Sequence, residues 1–136
     1  MSEPILHKGS CHCGAVHFEV PIDATAGTRC NCSVCQKTNV TSARAKPGSL
    51  KVTEGREHLS GYKTASATRH FCKHCGVHLY GDGYVEEIGG DFLAVNLNAL
   101  DDIEHSAVKV GFWDGRHDNW QGGMRDTPWP NATPAN

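Results

Sequence analysis

Seven cysteines in three short groups limit what this 136-residue chain can fold into more than any other feature of the sequence. An odd number of cysteines cannot be fully paired within one chain, and clustered cysteines in a reducing compartment indicate metal binding or catalysis. The groups are an N-terminal pair spaced Cys-x-Cys, a trio spaced Cys-x-Cys-x-x-Cys, and a knuckle pair spaced Cys-x-x-Cys-Gly. They comprise, in that order, Cys11 and Cys13, then Cys30, Cys32 and Cys35, then Cys72 and Cys75.

The spacing inside each pair suits thiolate ligation of a zinc ion. Two residues between Cys72 and Cys75 let a tight turn aim both thiolates at one ion, and Gly76 can close that turn with a positive φ. In an extended segment, Cys11 and Cys13 project from the same face, because strand side chains alternate. Each pair therefore supplies two ligands and neither completes a tetrahedral site alone. Reduced cysteines packed in a core are the plainer alternative, but three such motifs in one short chain do not arise readily by chance.

The seven thiolates divide into four plus three. The N-terminal pair and the knuckle pair together would form a closed site of four thiolates, and such zinc sites are structural because their binding free energy is folding free energy. The trio would leave a fourth coordination position open, as catalytic zinc sites do. Three alternatives remain open: a single zinc ion, iron in the four-cysteine site, and a zinc ribbon in which Cys32 and Cys35 join the knuckle pair.

Alternation of apolar and polar residues predicts a mainly β fold. Val16, Phe18 and Val20 alternate with polar or small neighbours, which is the period of a half-buried strand. Further strands are predicted at 49–53, 67–71, 77–80, 92–97 and 108–112. Residues 77–80 are expected to pair back on 67–71. No segment keeps a helical apolar period for three turns, and a short helix is expected only near 36–39.

Length and charge narrow the remaining classes of protein. We expect one domain over residues 1–136, with its core at about 8–112 and a loosely ordered tail at 127–136. The net charge is −2, from 13 basic and 15 acidic residues, and the basic residues form no run, which argues against a nucleic-acid partner. No apolar run approaches the ~20 residues of a membrane-spanning helix, and residues 1–9 lack the apolar region of a signal peptide. We therefore expect a cytoplasmic protein without a membrane partner.

Basic residues that flank the trio are candidates for binding an anionic substrate. Arg29 is adjacent to Cys30 and is the best of them, because a guanidinium can hold a carboxylate through two hydrogen bonds. Solvated surface charge is the alternative interpretation for all of them. The other flanking cations are Lys37, Arg44 and Lys46.

Histidines and tryptophans give weaker signals. His70, His74 and His78 are spaced by four residues, but Gly76 and the knuckle between them argue against a helix that would align them as ligands. His117 is predicted to lie in a polar surface loop. Three late tryptophans are expected either to cover an edge of the core or to wall a substrate pocket. They are Trp113, Trp120 and Trp129.

The segments that carry the cysteines resemble the glutathione-dependent formaldehyde-activating enzyme family, which includes centromere protein V. Those segments read GSCHCGAV at 9–16, CNCSVC at 30–35 and RHFCKHCG at 69–76, and all seven cysteines occur in matching order and spacing. The resemblance implies a β-tent-like fold of several small antiparallel sheets organised around two zinc ions. It also implies a structural zinc on the N-terminal and knuckle pairs and a catalytic zinc on the trio.

The resemblance further implies a carbon–sulfur lyase, of the kind that makes S-(hydroxymethyl)glutathione from formaldehyde and glutathione. The leading hypothesis is a zinc enzyme that adds a small thiol such as glutathione to an aldehyde such as formaldehyde, or the reverse, with Arg29 binding a carboxylate of the thiol. The rival is a non-enzymatic zinc module for a protein or nucleic-acid partner, which a histidine as fourth ligand of the trio would favour. Two segments, 38–41 and 120–129, depart from the family pattern, and both bear on the substrate side of the site.

Overall fold

Ten β-strands and one short α-helix make up the longer regular elements of residues 3–132, the part of the chain that the computed structural model describes. In chain order they are β1 (Ile5–Ser10), β2 (His17–Ile22), β3 (Ala26–Cys30), α1 (Ser33–Thr38), β4 (Ser42–Ala45), β5 (Lys51–Glu54), β6 (Leu59–Lys63), β7 (Ala67–Cys72), β8 (His78–Val85), β9 (Gly90–Asn96) and β10 (Lys109–Trp113). The six strands predicted from alternation are found as β2, β5, β7, β8, β9 and β10. The helix begins three residues earlier than expected, directly after Cys32.

The strands form two sheets. One has the order β1-β2-β5, and the other has the order β10-β3-β4-β9-β8-β7-β6. Neighbouring strands are antiparallel except β10 and β3, which are parallel. β7 and β8 pair as predicted, with a register shift between His70 and Phe71. The prediction of a mainly β fold is confirmed, although most strands belong to one seven-stranded sheet rather than to several small ones.

One hydrophobic core joins the two sheets. β2 contributes Phe18, Val20 and Ile22, and β9 contributes Leu93 and Val95, all with at most 3% of their surface exposed. Burying an apolar side chain of this size stabilises the fold by about 1.5–3 kcal/mol. Because side chains alternate along a strand, the intervening residues of β9 face away from this core. That opposite face of the large sheet lines a cavity.

The predicted tail lies partly outside the described residues, which end at 132. Between 127 and 132 the chain forms no helix or strand. The indole Nε1 of Trp129 nevertheless donates a hydrogen bond to the carbonyl oxygen of Phe112 at 3.1 Å, and the guanidinium of Arg125 lies 3.9 Å from the centre of the Trp129 ring. This part of the C-terminal segment is therefore packed along β10.

The helices between residues 3 and 132 are all too short or too polar to cross a membrane.

Candidate metal centres and cavity

The N-terminal pair and the knuckle pair meet at one place, although they are 59 or more residues apart in sequence. Their four sulfur atoms all lie within 4.8 Å of one another, close enough to ligate one metal ion. The Sγ of Cys13 is 3.6 Å from those of both Cys11 and Cys72. Cys11 and Cys72 are buried, whereas Cys13 is exposed. We call this group the four-sulfur cluster.

Backbone amides organise the four-sulfur cluster. The amide N–H of Val16 donates to the Sγ of Cys11 at 3.3 Å, and that of His74 donates to the Sγ of Cys72 at 3.4 Å. Gly76 has a φ of 79°, as expected for the closing residue of the knuckle turn, and its N–H donates to the carbonyl oxygen of Cys72 at 2.8 Å. Hydrogen bonds to sulfur favour the thiolate form that metal ions require. The cluster therefore fits a closed thiolate site.

The trio forms a second, separate sulfur cluster. Cys30 is the last residue of β3, Cys32 is the N-cap of α1, and Cys35 lies in the first turn of that helix. Their sulfur atoms lie within 4.8 Å of one another, and in the described part of the chain no histidine, carboxylate or further cysteine joins them. The ribbon arrangement needs Cys32 and Cys35 beside the knuckle pair. In this fold the knuckle pair lies beside Cys11 and Cys13 instead.

Contacts within the trio shift the pKa values of two of its thiols in opposite directions. Hydrogen bonds from the Cys30 thiol, and next from Cys35, lower the pKa of Cys32 far below its ordinary value. The same kind of contact, from Cys30 and then Cys32, raises the pKa of Cys35. Three sulfur atoms gathered in one place, one of them with a lowered pKa, suit a soft metal ion such as zinc.

A loop that sequence reasoning placed on the surface packs against the trio. A Cβ added to Gly115 would clash with the Sγ of Cys30, so a larger residue there would displace the trio or the loop. The buried side chain of Asn31 donates to Asp114 at 2.8 Å and accepts from the amide N–H of Arg116 at 2.9 Å. These contacts fix the loop to the segment between Cys30 and Cys32. The neighbouring residues Asp114 and Gly115 are typical of a turn, but nothing in the local sequence indicated that this turn packs against the trio.

His117 lies in the same loop and is half-buried rather than fully exposed. Its Nδ1 is 2.8 Å from the carboxylate of Asp114, and its Nε2 is buried without a hydrogen-bond partner in the described residues. Burial raises the pKa of Asp114, but hydrogen bonds from Asn31, His117 and Asn119 more than offset this and hold it below the ordinary value. The carboxylate therefore stays ionised and orients the imidazole.

The trio opens onto a cavity of about 1260 Å³ on the outer face of the large sheet. This volume is above the usual range of small-molecule sites. Aromatic and apolar residues form part of its wall, among them Phe92, Trp113, Trp120 and Met124. Trp113 and Trp120 thus line the cavity, which agrees with the interpretation of the late tryptophans as a pocket wall. Trp129 instead packs along β10.

Arg69 lies beside the trio and lines the same cavity, and it was not singled out as a functional residue from the sequence. Its Nη2 donates to the Sγ of Cys35 at 3.6 Å, and its side chain lines the cavity. Its Nε is buried and has no hydrogen-bond partner in the described residues. Arg69 lies in a strand that was predicted from the sequence. Its partner Cys35 is 34 residues away in sequence, so nothing local indicated the contact.

Arg29, the predicted carboxylate-binding residue, is engaged elsewhere. Its Nε donates to the hydroxyl of Thr41 at 3.1 Å and its Nη2 to the carbonyl oxygen of Asn39 at 3.4 Å. It is not among the described residues that line the cavity, where the arginines are Arg44 and Arg69. Lys37 and Lys46 are exposed on the surface.

The three evenly spaced histidines do not form a ligand set. His70 lies on β7 with its Nε2 2.9 Å from Asp82. The Nε2 of His74, in the knuckle, is 2.9 Å from the Nδ1 of His58. His78 begins β8 and lines the cavity. Burial, and next the charge of Arg69, lower the pKa of His78 below its ordinary value, so its imidazole is neutral near pH 7.

Two curated relatives match parts of this chain. A protein of Halomonas elongata is 37% identical over 87 residues, which cover 56% of this chain and 55% of that protein. A protein of Emericella nidulans is 31% identical over 105 residues, which cover 65% of this chain and 49% of that protein. Both are provisionally named glutathione-dependent formaldehyde-activating enzyme. The chain therefore spans about half the length of these curated relatives.

The fold and a family model extend this similarity. A Rhodobacter sphaeroides protein solved by crystallography superimposes with a TM-score of 0.62 at 27% identity, covering 90% of this chain and 99% of that one. The family model described as glutathione-dependent formaldehyde-activating enzyme matches residues 6–116, which include all seven cysteines. The chain belongs to the glutathione-dependent formaldehyde-activating enzyme family.

Proposed function

We propose that this protein is a zinc-dependent carbon–sulfur lyase that joins a small thiol such as glutathione to an aldehyde such as formaldehyde, or catalyses the reverse reaction. The observation that carries this proposal is the trio, which brings three sulfur atoms together at a cavity without a fourth ligand from the described residues. In this proposal Cys11, Cys13, Cys72 and Cys75 hold a structural zinc, and the trio holds a catalytic one. The expected location is the cytoplasm.

The donor set favours a thiol substrate over hydrolysis. Three thiolates and one zinc ion carry a net charge of −1, which makes a poor Lewis acid for a carbonyl, whereas hydrolytic zinc sites use mainly nitrogen and oxygen ligands. Zinc bound there would lower the pKa of a coordinating thiol and keep it as a reactive thiolate. In the forward direction the sulfur of the thiolate bonds to the carbonyl carbon, and the carbonyl oxygen takes up a proton. In the reverse direction that carbon–sulfur bond breaks and the proton is released.

The chain's own residues assist by charge and by shielding. Arg69 lies beside Cys35 and compensates the negative charge that three thiolates and a bound substrate thiolate would accumulate. Trp113 and Trp120 line the cavity near the trio and reduce its exposure to water. Electrostatic interactions are stronger where water is excluded, so this wall increases the effect of Arg69.

We predict two zinc ions of unequal affinity in freshly purified protein. A chelator should remove the ion of the trio first, because that site has one fewer protein ligand and its three cysteines are only half-buried. Elemental analysis before chelation should find between one and two zinc ions per chain, and about one after mild chelation. Iron as the main metal, or zinc well below one per chain, would contradict both assigned sites.

We also predict that thiols bind to the zinc-loaded protein through their sulfur. Calorimetric titration should show glutathione binding more tightly than S-methylglutathione, because methylation removes the thiolate and leaves the rest of the peptide unchanged. Selective removal of the zinc ion at the trio should abolish the preference for glutathione. Equal binding of the two compounds would exclude sulfur ligation, and no binding of any thiol would favour the non-enzymatic zinc module.

A further inference from the structure

Four residues form a row across the cavity-lining face of the large sheet. The strand register places Arg69 of β7 opposite Gly81 of β8, Gly81 opposite Ala94 of β9, and Ala94 opposite Arg44 of β4. All four line the cavity. Adjacent strands lie about 4.8 Å apart, so three steps separate the Cα atoms of the two arginines by about 14 Å. The row therefore has a cation at each end.

The middle of this row is free of large side chains. Gly81 has none and Ala94 has a methyl group. A Cβ built on Gly81 would approach the carbonyl oxygen of Thr68 to 3.5 Å and the Cγ of Arg69 to 4.0 Å, which are ordinary contacts. The space above the row is thus open between the two guanidinium groups.

Neither arginine has an acidic partner in the described residues, where the ion pairs within 4.0 Å all involve histidines. Three carboxylates also line the cavity, and they belong to Asp23, Glu87 and Asp118. The guanidinium of Arg44 lies 5.0 Å from the centre of the Phe92 ring, a cation–π contact that limits its movement. A guanidinium held in place without an internal anion is available to an anionic ligand.

The two ends of the row differ in their surroundings. Arg69 touches the trio through Cys35, whereas Arg44 is three strands away and is exposed. A ligand with its sulfur at the trio would therefore meet Arg69 first. Its other end, running over Gly81 and Ala94, would reach Arg44.

We propose that this row is a binding strip for thiols that carry an anionic group at a distance from their sulfur, with Arg44 as the residue that selects the anionic tail. The inference rests on the proposed function, since it takes the trio as the place of the sulfur. It assigns the tail to Arg44 rather than to Arg29, whose guanidinium is bound to Thr41 and Asn39. The tail is a carboxylate or a phosphate, because a guanidinium recognises both.

The test compares thiols that differ in the charge of their tail. Glutathione is titrated against its diethyl ester, and 4′-phosphopantetheine against pantetheine, into the zinc-loaded wild type and the Arg44→Gln variant. In the wild type at least one anionic thiol should bind about tenfold more tightly than its neutral counterpart, the effect of one charge-assisted contact. Arg44→Gln should remove most of that difference, and the pair that shows it identifies the tail. Lys46→Gln, which removes an exposed charge two residues away, should leave the difference intact.

A second variant tests the open strip itself. Gly81→Leu should fill the space between the arginines and weaken binding of the anionic thiol, while Gly81→Ala should have little effect. Zinc content and the melting temperature of both variants should match the wild type, because a Cβ at this position makes only ordinary contacts with its neighbours. If Gly81→Leu binds the anionic thiol as the wild type does, the ligand does not run along the row.

The outcomes separate this inference from the proposed function. Equal binding of anionic and neutral thiols in the wild type, or a charge effect that survives Arg44→Gln, overturns the role of Arg44 and leaves sulfur ligation standing. S-methylglutathione that binds as tightly as glutathione and loses affinity in Arg44→Gln supports the anion-binding role and overturns sulfur ligation. Absence of binding by every thiol overturns both.

Discussion

Replacing Cys72 by serine should leave the protein unfolded or insoluble, because it removes a proposed zinc ligand from the four-sulfur cluster at its most buried position. Cys72 is fully buried and belongs to the hydrophobic core. A structural zinc site supplies folding free energy on the order of 10 kcal/mol, which is comparable with the whole stability of an ordinary domain. A serine there would weaken the metal site and also bury a hydroxyl in an apolar environment.

The position of the cluster explains why its loss would spread through the fold. It joins the turn between β1 and β2, in the small sheet, to the end of β7 in the large sheet. Without it the small sheet is held to the large one by the shared core and by contacts such as the bridge between Gly9 of β1 and Leu100, which follows β9. Circular dichroism and the soluble fraction after expression measure the effect of Cys72→Ser. The matched control is His12→Ala, which changes the exposed residue between Cys11 and Cys13. A folded, zinc-replete Cys72→Ser protein would show that the cluster is not structural.

Much of the fold and the trio could be predicted from the sequence, because these features depend on local spacing. The four-sulfur cluster joins two pairs that are 59 or more residues apart, so local spacing left the ribbon arrangement open and the family resemblance favoured the split of four plus three. Strand β2 faces the core with every second residue, so its alternation is visible in the chain. β3 and β4 were missed for the opposite reason. Their sequences, AGTRC and SARA, contain few apolar residues, because one face of each strand lines the cavity instead of the core. A strand beside a cavity lacks the hydrophobic signal that identifies a strand in a core.

Arg44, Trp113 and Trp120 were candidates from the sequence, but the arrangement of the cavity residues could not be predicted, because it depends on strand register between distant segments. Arg69 and Arg44 share a row only because β7, β8, β9 and β4 are aligned in one register. Arg29 was the natural candidate from its position beside Cys30, but residues adjacent in a strand point to opposite faces. Cys30 lines the cavity, and Arg29 instead reaches Thr41. Sequence proximity to a ligand was therefore a poor guide to its neighbours in space.

Replacing Cys32 by serine should give a folded protein that has lost one zinc ion and the ability to bind thiols. Cys32 is half-buried at the start of α1 and lies outside the buried core cluster. The four-sulfur cluster and the contacts between the sheets do not involve it. The melting temperature should therefore change by only a few degrees, as is usual for a loss of about 1 kcal/mol in a chain of this size. Zinc content should fall from near two ions per chain to near one.

The loss of thiol binding should be much larger than the loss of stability. The two thiolates that remain in the variant are too few to hold a zinc ion with a fourth position open for the substrate. Elemental analysis, thermal unfolding and calorimetry with glutathione measure the three effects on the same sample. Ser33→Ala is the matched control, since Ser33 is the exposed neighbour of Cys32 in the first turn of α1. If Cys32→Ser unfolds the protein while Cys13→Ser leaves it folded, the structural and catalytic roles of the two clusters are reversed. The chemistry proposed for the cavity depends on all three thiolates of the trio. Retention of both zinc ions and of glutathione binding in Cys32→Ser would therefore show that the substrate sulfur does not bind at the trio.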